Sequence, residues 1–172
     1  MKLIHTGDIH IGSAMKNLPT AKSQIRKREI IDGFRSLAAF AREQNVDAVL
    51  IAGDLFDENA VERQVAQEVF SIISSAEPVC FFYVSGNHDD EFSQNEGLPK
   101  NLYLFSQTHA WQGYRLKENV VITGADTRNF STHLFENLRL NPADFNVVFY
   151  TATLKKRTQK RVFLLLLCKG KE

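Results

Sequence analysis

The chain has 172 residues, of which 44% are hydrophobic and 24% are charged, a composition typical of one globular domain with at most a short appendage. These values exclude intrinsic disorder, collagen and coiled coil as descriptions of the whole chain. The 21 basic and 20 acidic residues nearly balance, so the net charge indicates no particular partner. Residues 151–172 nevertheless hold seven basic residues and one acidic residue. We therefore expect a domain over residues 1–150 and a basic and apolar tail of atypical composition over residues 151–172.

The predicted elements alternate between strands and helices through the first half of the chain. Apolar runs predict strands, and apolar residues recurring every three or four positions predict helices. The predicted order is strand 2–6, helix 22–44, strand 48–52, helix 61–75 and strand 79–84. Strands separated by helices of this length favour right-handed crossovers and a parallel sheet that is covered on both faces.

The second half contains short strands with little helix between them. The predicted strands are 102–105, 111–116, 120–123 and 147–150. We expect them to extend the sheet in mixed or antiparallel pairing. The apolar run 162–167 has no evident partner strand or helix in the sequence.

The cysteines and the longest apolar run indicate the compartment. Cys80 and Cys168 lie in apolar sequence and suggest no disulfide framework, so we expect a reduced, cytoplasmic chain. The amino terminus enters strand-like sequence directly, without the apolar stretch of a signal peptide. The run 162–168 is too short to cross a bilayer, and no membrane association is expected.

Three polar loops follow the three predicted parallel strands. Their sequences are GDIH at 7–10, GDLFD at 53–57 and GNHD at 86–89. Because the carboxyl ends of parallel strands meet at one edge of a sheet, we expect the three loops to converge on one crevice. One such loop alone would be an ordinary turn, but three in this order are typical of a functional site.

The residue types in these loops favour a metal site. They supply carboxylate and amide oxygens and imidazole nitrogens without thiolate, a donor set that suits Mn, Fe or Zn. Asp8 and His10 are two residues apart in an extended loop, so both side chains can bind one ion. Asp54 could bridge two ions with its two oxygens. Two metal ions about 3.5–4 Å apart are a known device for phosphoester hydrolysis.

The three loops resemble the first three signature motifs of the calcineurin-like metallophosphoesterases. The opening KLIHTGDIHIG together with GDLFD is similar, more specifically, to the DNA-repair exonucleases of the SbcD type. The resemblance covers about residues 1–150. It implies an α/β sandwich of four layers, with mixed β-sheets flanked by helices, and metal-dependent hydrolysis of DNA phosphodiesters.

The resemblance also implies a role for each site residue. Asp8 and His10 would bind the first metal, Asp54 would bridge both metals and Asn87 would bind the second. His88 would instead stabilise the transition state and protonate the leaving oxygen, with Asp89 as the candidate carboxylate that holds it. The implied cofactor is a pair of divalent ions, with Mn²⁺ as the expected metal. The implied substrate is DNA, and the implied partner is an SMC-type ATPase subunit.

The sequence departs from the complete family pattern downstream. That pattern needs further histidines in a His-Gly-type loop and a Gly-His-x-His loop, whereas the five histidines here are at 5, 10, 88, 109 and 133. We therefore expect a fold that is incomplete at its C-terminus, at most one tightly bound metal and impaired hydrolysis. The ATPase-binding segments are expected beyond residue 172, which leaves that partnership open. The change of composition after residue 150 resembles a shifted reading frame.

Two other functions remain open at this point. One is a phosphoesterase of small phosphoesters or nucleotides, and the other is a catalytically silent remnant that binds metal or nucleic acid. A run of basic residues near the first loop could contact DNA phosphates or form a solvated helix face. The run consists of Lys16, Lys22, Arg26, Lys27 and Arg28.

Overall fold

The computed structural model describes residues 1–15, 17–57, 62–84, 97–105, 110–125, 133–153 and 161–169. The helices in these ranges are α1 (Thr20–Glu43), α2 (Arg63–Ser75) and the short α3 (His133–Glu136). The strands are β1 (Leu3–Thr6), β2 (Ala48–Ala52), β3 (Cys80–Val84), β4 (Leu102–Phe105), β5 (Gln112–Lys117), β6 (Val120–Ala125), β7 (Phe145–Thr153) and β8 (Arg161–Lys169).

The first sheet is parallel, with the strand order β1-β2-β3-β4. Every residue of β2 is buried, which explains its uninterrupted apolar sequence, since both faces of this sheet are covered. Because strand order follows chain order, crossovers of one hand place both connecting helices on the same face. Helices α1 and α2 accordingly share one core with Val49, Ile51 and Phe81 of the sheet.

A second sheet, with the order β5-β6-β7-β8, covers the other face. Its inner pair β6 and β7 is parallel, and the two outer pairs are antiparallel. Leu50 and Phe82 of the first sheet pack in one core with Ile122 and Phe149 of the second. The expectation that all the later strands extend the first sheet is therefore wrong, because only β4 does so. Alternate residues of β2 and β3 point to opposite faces of the first sheet, and both sets are apolar. The face away from the helices is therefore also apolar, and the second sheet removes it from water.

Strand β8 also corrects an expectation, because the apolar run 162–167 does have a partner strand. It pairs antiparallel with β7 in a continuous register from Phe145↔Lys169 to Thr153↔Arg161. An edge strand presents backbone N–H and C=O groups that can accept a further strand, and the run contains neither Gly nor Pro to prevent pairing. The sequence could not reveal this partner, since its pairing depends on the position of β7 in the fold.

The α/β class and the mixed sheets are confirmed. The described residues form three layers, in the order helices, first sheet and second sheet. The fourth layer, the incompleteness at the C-terminus and the division at residue 150 stay predictions. Among the described helices, none is long and apolar enough to cross a membrane.

Asp47, just before β2, links the first sheet to Lys117 at the carboxyl end of β5 in the second sheet. Its carboxylate accepts a hydrogen bond from the Lys2 backbone N–H at 2.8 Å and forms an ion pair with Lys117 of β5 at 2.6 Å. The hydrogen bond from Lys117 lowers the pKa of Asp47; partial burial opposes it and the Lys2 N–H reinforces it. A lowered pKa in the folded state stabilises the fold above the ordinary carboxyl pKa, and this stabilisation is lost as the pH falls through the folded value.

We predict that Asp47→Asn lowers the free energy of unfolding by about 1 kcal/mol or less near neutral pH. The difference from the parent should shrink at an acidic pH below the ordinary carboxyl pKa of about 3.9, because the stabilisation is lost as the pH falls through the lowered pKa of Asp47. Urea denaturation at both pH values is the measurement, with Glu43→Gln at the exposed end of α1 as the matched control. A difference that persists unchanged in acid would contradict an electrostatic origin.

Candidate metal centre

The loops after β1 and β2 run side by side and are joined by backbone hydrogen bonds. The N–H of Asp8 donates to the Gly53 carbonyl at 3.3 Å, and the N–H of His10 donates to the Asp54 carbonyl at 3.0 Å. Gly53 in turn donates to the carbonyl of Val84, the last residue of β3, at 2.9 Å. The carboxyl ends of the first three strands therefore meet at one edge, as expected for a parallel sheet.

Three residues at this edge adopt the left-handed backbone conformation. The φ angles are 52° at Asp8, 53° at His10 and 46° at Asp54. Side-chain-bearing residues rarely adopt this region, at a cost of about 1–2 kcal/mol each. Such conformations persist only where the surrounding structure holds them, and they cluster at functional sites. The hydrogen bonds between the two loops are what hold them here.

Gly7 permits the close approach of the two loops. A Cβ atom at this position would lie 2.5 Å from the carbonyl oxygen of Ala52, which is a backbone atom and cannot rotate away. Only glycine therefore fits between β1 and Asp8 without moving the loop.

We predict that Gly7→Ala destabilises the fold by about 1–3 kcal/mol and weakens divalent-metal binding, since the displaced loop carries Asp8 and His10. Gly33→Ala is the matched control, because a Cβ there meets nothing within 4 Å. In the interior of α1 that substitution should stabilise by up to about 1 kcal/mol. Thermal denaturation and Mn²⁺ titration of both variants are the measurements, and equal behaviour of the two would contradict the role given to Gly7.

Asp8, His10 and Asp54 form a compact cluster at this edge. One ligand atom of each lies within 4.8 Å of the others. Asp54 is 1% exposed, His10 is half-buried and Asp8 is exposed, so the cluster opens to solvent on one side. Two carboxylates held this close, one of them buried, favour a neighbouring positive charge. The donor set and its electrostatics thus fit a hard or borderline divalent cation.

The two ring nitrogens of His10 face different carboxylates. Nε2 lies 3.9 Å from Oδ2 of Asp54, inside the cluster. Nδ1 lies 3.4 Å from Oδ1 of Asp57, which does not belong to the cluster. Sequence reasoning placed Asp57 within GDLFD but gave it no role. The only available signal was its place in the same loop, three residues after Asp54.

Several predicted residues lie outside the described part of the chain. These are Asn87, His88 and Asp89 of the third loop, together with Lys16 of the basic run. Their predicted roles therefore stay predictions, and so do the metal-binding roles of Asp8, His10 and Asp54. His5 is exposed on β1, which lies within the predicted strand 2–6.

The basic run on α1 is partly engaged in ion pairs. Arg26 pairs with Glu29 at 2.6 Å, and Arg28 pairs with Asp32 at 3.2 Å and with Glu68 of α2 at 2.9 Å. Because both side chains already pair with carboxylates, Arg26 and Arg28 fit a solvated helix face better than a surface that contacts DNA phosphates.

Residues 1–161 match the family model described as calcineurin-like phosphoesterase. This protein belongs to the calcineurin-like phosphoesterase family. The match covers most of the chain, and it confirms the family to which the three loop motifs pointed.

The more specific resemblance also finds support among curated relatives. The chain is 33% identical over 91 residues to the DNA double-strand break repair protein Mre11 of Archaeoglobus fulgidus, and 30% identical over 93 residues to that of Methanosarcina acetivorans. It is 29% identical over 93 residues to the SbcD component of the nuclease SbcCD of Bacillus subtilis. The matched segments cover 52–53% of this chain but only 14–22% of these relatives.

Proposed function

We propose that the chain is a metal-dependent phosphodiester hydrolase of the DNA-repair nuclease type. The observation that carries this proposal is the Asp8–His10–Asp54 cluster, with ligand atoms within 4.8 Å of one another, at the carboxyl edge of a calcineurin-like phosphoesterase fold. The names of the relatives support DNA as the substrate, since they describe DNA repair proteins and a component of a nuclease.

In this proposal Asp8, His10 and Asp54 hold a divalent cation, for which we name Mn²⁺, and Asn87 belongs to a second site. When bound, such a cation supplies Lewis-acid polarisation of a phosphoryl oxygen. The residues of the chain orient the phosphodiester at the strand edge for attack by water on phosphorus. His88 donates a proton to the sugar oxygen as its bond to phosphorus breaks, and Asp89 holds the imidazole for that transfer.

The two proposed metal sites differ in the number of protein ligands that the 172-residue chain supplies. The first site has three protein ligands, Asp8, His10 and Asp54, and water can complete its shell. The second has only the shared Asp54 and the neutral Asn87, since the remaining histidines, apart from the proposed proton donor His88, are at 5, 109 and 133. Two divalent ions at close separation repel each other strongly. We therefore propose at most one tightly bound metal and hydrolysis that is severely reduced.

The cellular setting follows from the same proposal. The proposed hydrolase would act in the cytoplasm, the compartment expected from cysteines that suggest no disulfide framework. Residues 1–150 would carry the site, and assembly with an SMC-type ATPase is the partnership implied by the SbcD-type resemblance. Co-purification of the chain with such an ATPase tests the partnership separately from hydrolysis.

A comparison of two substrates under saturating Mn²⁺ tests the proposed function. Cleavage of end-labelled DNA is compared with cleavage of bis(4-nitrophenyl) phosphate, and Asp8→Ala is the control for contaminating nuclease. We expect weak, Mn²⁺-dependent cleavage of DNA that Asp8→Ala removes. Cleavage of the small diester alone would favour a phosphoesterase of small substrates, and cleavage of neither would favour a catalytically silent remnant.

A further inference from the structure

His10 can bind a metal through only one of its nitrogens at a time. A neutral imidazole carries its proton on one ring nitrogen, and the other nitrogen has the lone pair that can bind a cation. Nε2 lies 3.9 Å from Asp54 within the cluster, and Nδ1 lies 3.4 Å from Asp57 outside it. The group beside Nδ1 therefore determines whether Nε2 is available to the metal.

We propose that Asp57 is the positioning residue of His10. Its carboxylate accepts a hydrogen bond from the N–H of Nδ1, fixes the ring orientation and keeps the Nε2 lone pair directed at the space shared with Asp8 and Asp54. This inference rests on the proposed function in one respect, namely that His10 binds the metal. A carboxylate on the outer nitrogen of a metal-binding histidine typically contributes about 10–100-fold in metal affinity.

The backbone fixes Asp57 opposite His10. Ile11 donates to the Leu55 carbonyl at 2.9 Å, and the N–H of Asp57 donates to the Ile11 carbonyl at 2.9 Å. Ile11 and Phe56 form a parallel bridge between the two loops. Ile11 and Leu55 are fully buried, and Phe56 is 4% exposed. The two loops thus continue the β1–β2 pairing beyond the strands, and buried side chains pack around this extension. The backbone positions of His10 and Asp57 are therefore restrained relative to each other.

The geometry separates Asp57 from the metal ligands. Among the described residues, the group with mutually close ligand atoms comprises Asp8, His10 and Asp54 only. Asp57 lies beside Nδ1, the nitrogen that does not face Asp54, and is 25% exposed as a side chain. If Asp57 positions the ring, Asp57→Asn should retain part of its influence on the His10 tautomer and on metal affinity. The asparagine side chain is uncharged but still has an oxygen that can accept a hydrogen bond from Nδ1–H.

The decisive readout is the tautomer of His10 in the metal-free protein, measured by ¹⁵N NMR at a pH where the imidazole ring is neutral. We expect the Nδ1-protonated tautomer in the parent, a shift toward the Nε2-protonated tautomer in Asp57→Ala, and an intermediate result in Asp57→Asn. Calorimetric titration with Mn²⁺ should show about 10–100-fold weaker binding for Asp57→Ala and a smaller loss for Asp57→Asn. Glu43→Ala, which removes an exposed carboxylate at the end of α1, should change neither quantity.

Other outcomes would overturn the inference. An unchanged His10 tautomer in Asp57→Ala, whatever happens to metal binding, would show that Asp57 does not position the ring. Complete loss of metal with the tautomer unchanged would instead make Asp57 a direct ligand. If the parent binds no metal, the proposed function fails, but the tautomer measurement still tests the contact between Asp57 and His10.

Discussion

Asp54→Ala is expected to abolish tight Mn²⁺ binding. Asp54 is the buried member of the cluster, and it is the proposed bridge between two metal positions. Its loss removes one of the two negative charges of the cluster at the point where solvent screens least. A ligand that binds only the folded state stabilises it by about 2.7 kcal/mol at one hundred times its Kd. Excess Mn²⁺ should therefore raise the Tm of the parent and leave the Tm of Asp54→Ala unchanged.

Asp8→Ala and Asn87→Ala are the comparisons for this prediction, since each removes one proposed terminal ligand. Both should retain more Mn²⁺ than Asp54→Ala in titration and metal analysis. Asp54→Asn, which keeps size and polarity, separates the loss of charge from any defect in packing. Equal losses in Asp54→Ala, Asp8→Ala and Asn87→Ala would argue against a bridging carboxylate.

His88→Ala is expected to remove hydrolysis while leaving metal content near that of the parent. The proposed role of His88 is to donate a proton to the leaving oxygen, and a general acid contributes about 10²–10⁴-fold to the rate. The measurement is single-turnover cleavage of DNA by a large excess of protein, which detects slow hydrolysis, alongside Mn²⁺ titration of the same preparation.

His5→Ala is the matched control for His88→Ala, because His5 is an exposed histidine on β1. It should change neither the rate of cleavage nor the affinity for Mn²⁺. If His88→Ala lost metal in proportion to activity, His88 would be a ligand and the role given to it would be wrong.

Much of the first sheet could be predicted from the sequence because its strands are buried on both faces. β2 and β3 read as unbroken apolar runs, and α1 and α2 present their apolar residues at helical spacing. The polar loops after β1 and β2 were also predictable, since the carboxyl edge of a parallel sheet brings them together whatever the details of packing.

The features that the sequence did not reveal all depend on contacts between separate segments of the chain. The second sheet arises because one face of the first sheet must be covered, and β8 is defined by its register against β7. The contact between Asp57 and His10 depends on hydrogen bonds between two loops more than forty residues apart. Periodicity within a segment carries no information on such registers.

Calorimetric titration of the metal-free chain with Mn²⁺ tests the central claim most directly, which is that Asp8, His10 and Asp54 together bind a divalent cation. We predict one tight site per chain in the parent, its loss in Asp54→Ala and weaker binding in Asp8→Ala, with Glu43→Ala binding like the parent. The absence of saturable binding in the parent, or binding that survives Asp8→Ala unchanged, would contradict the claim.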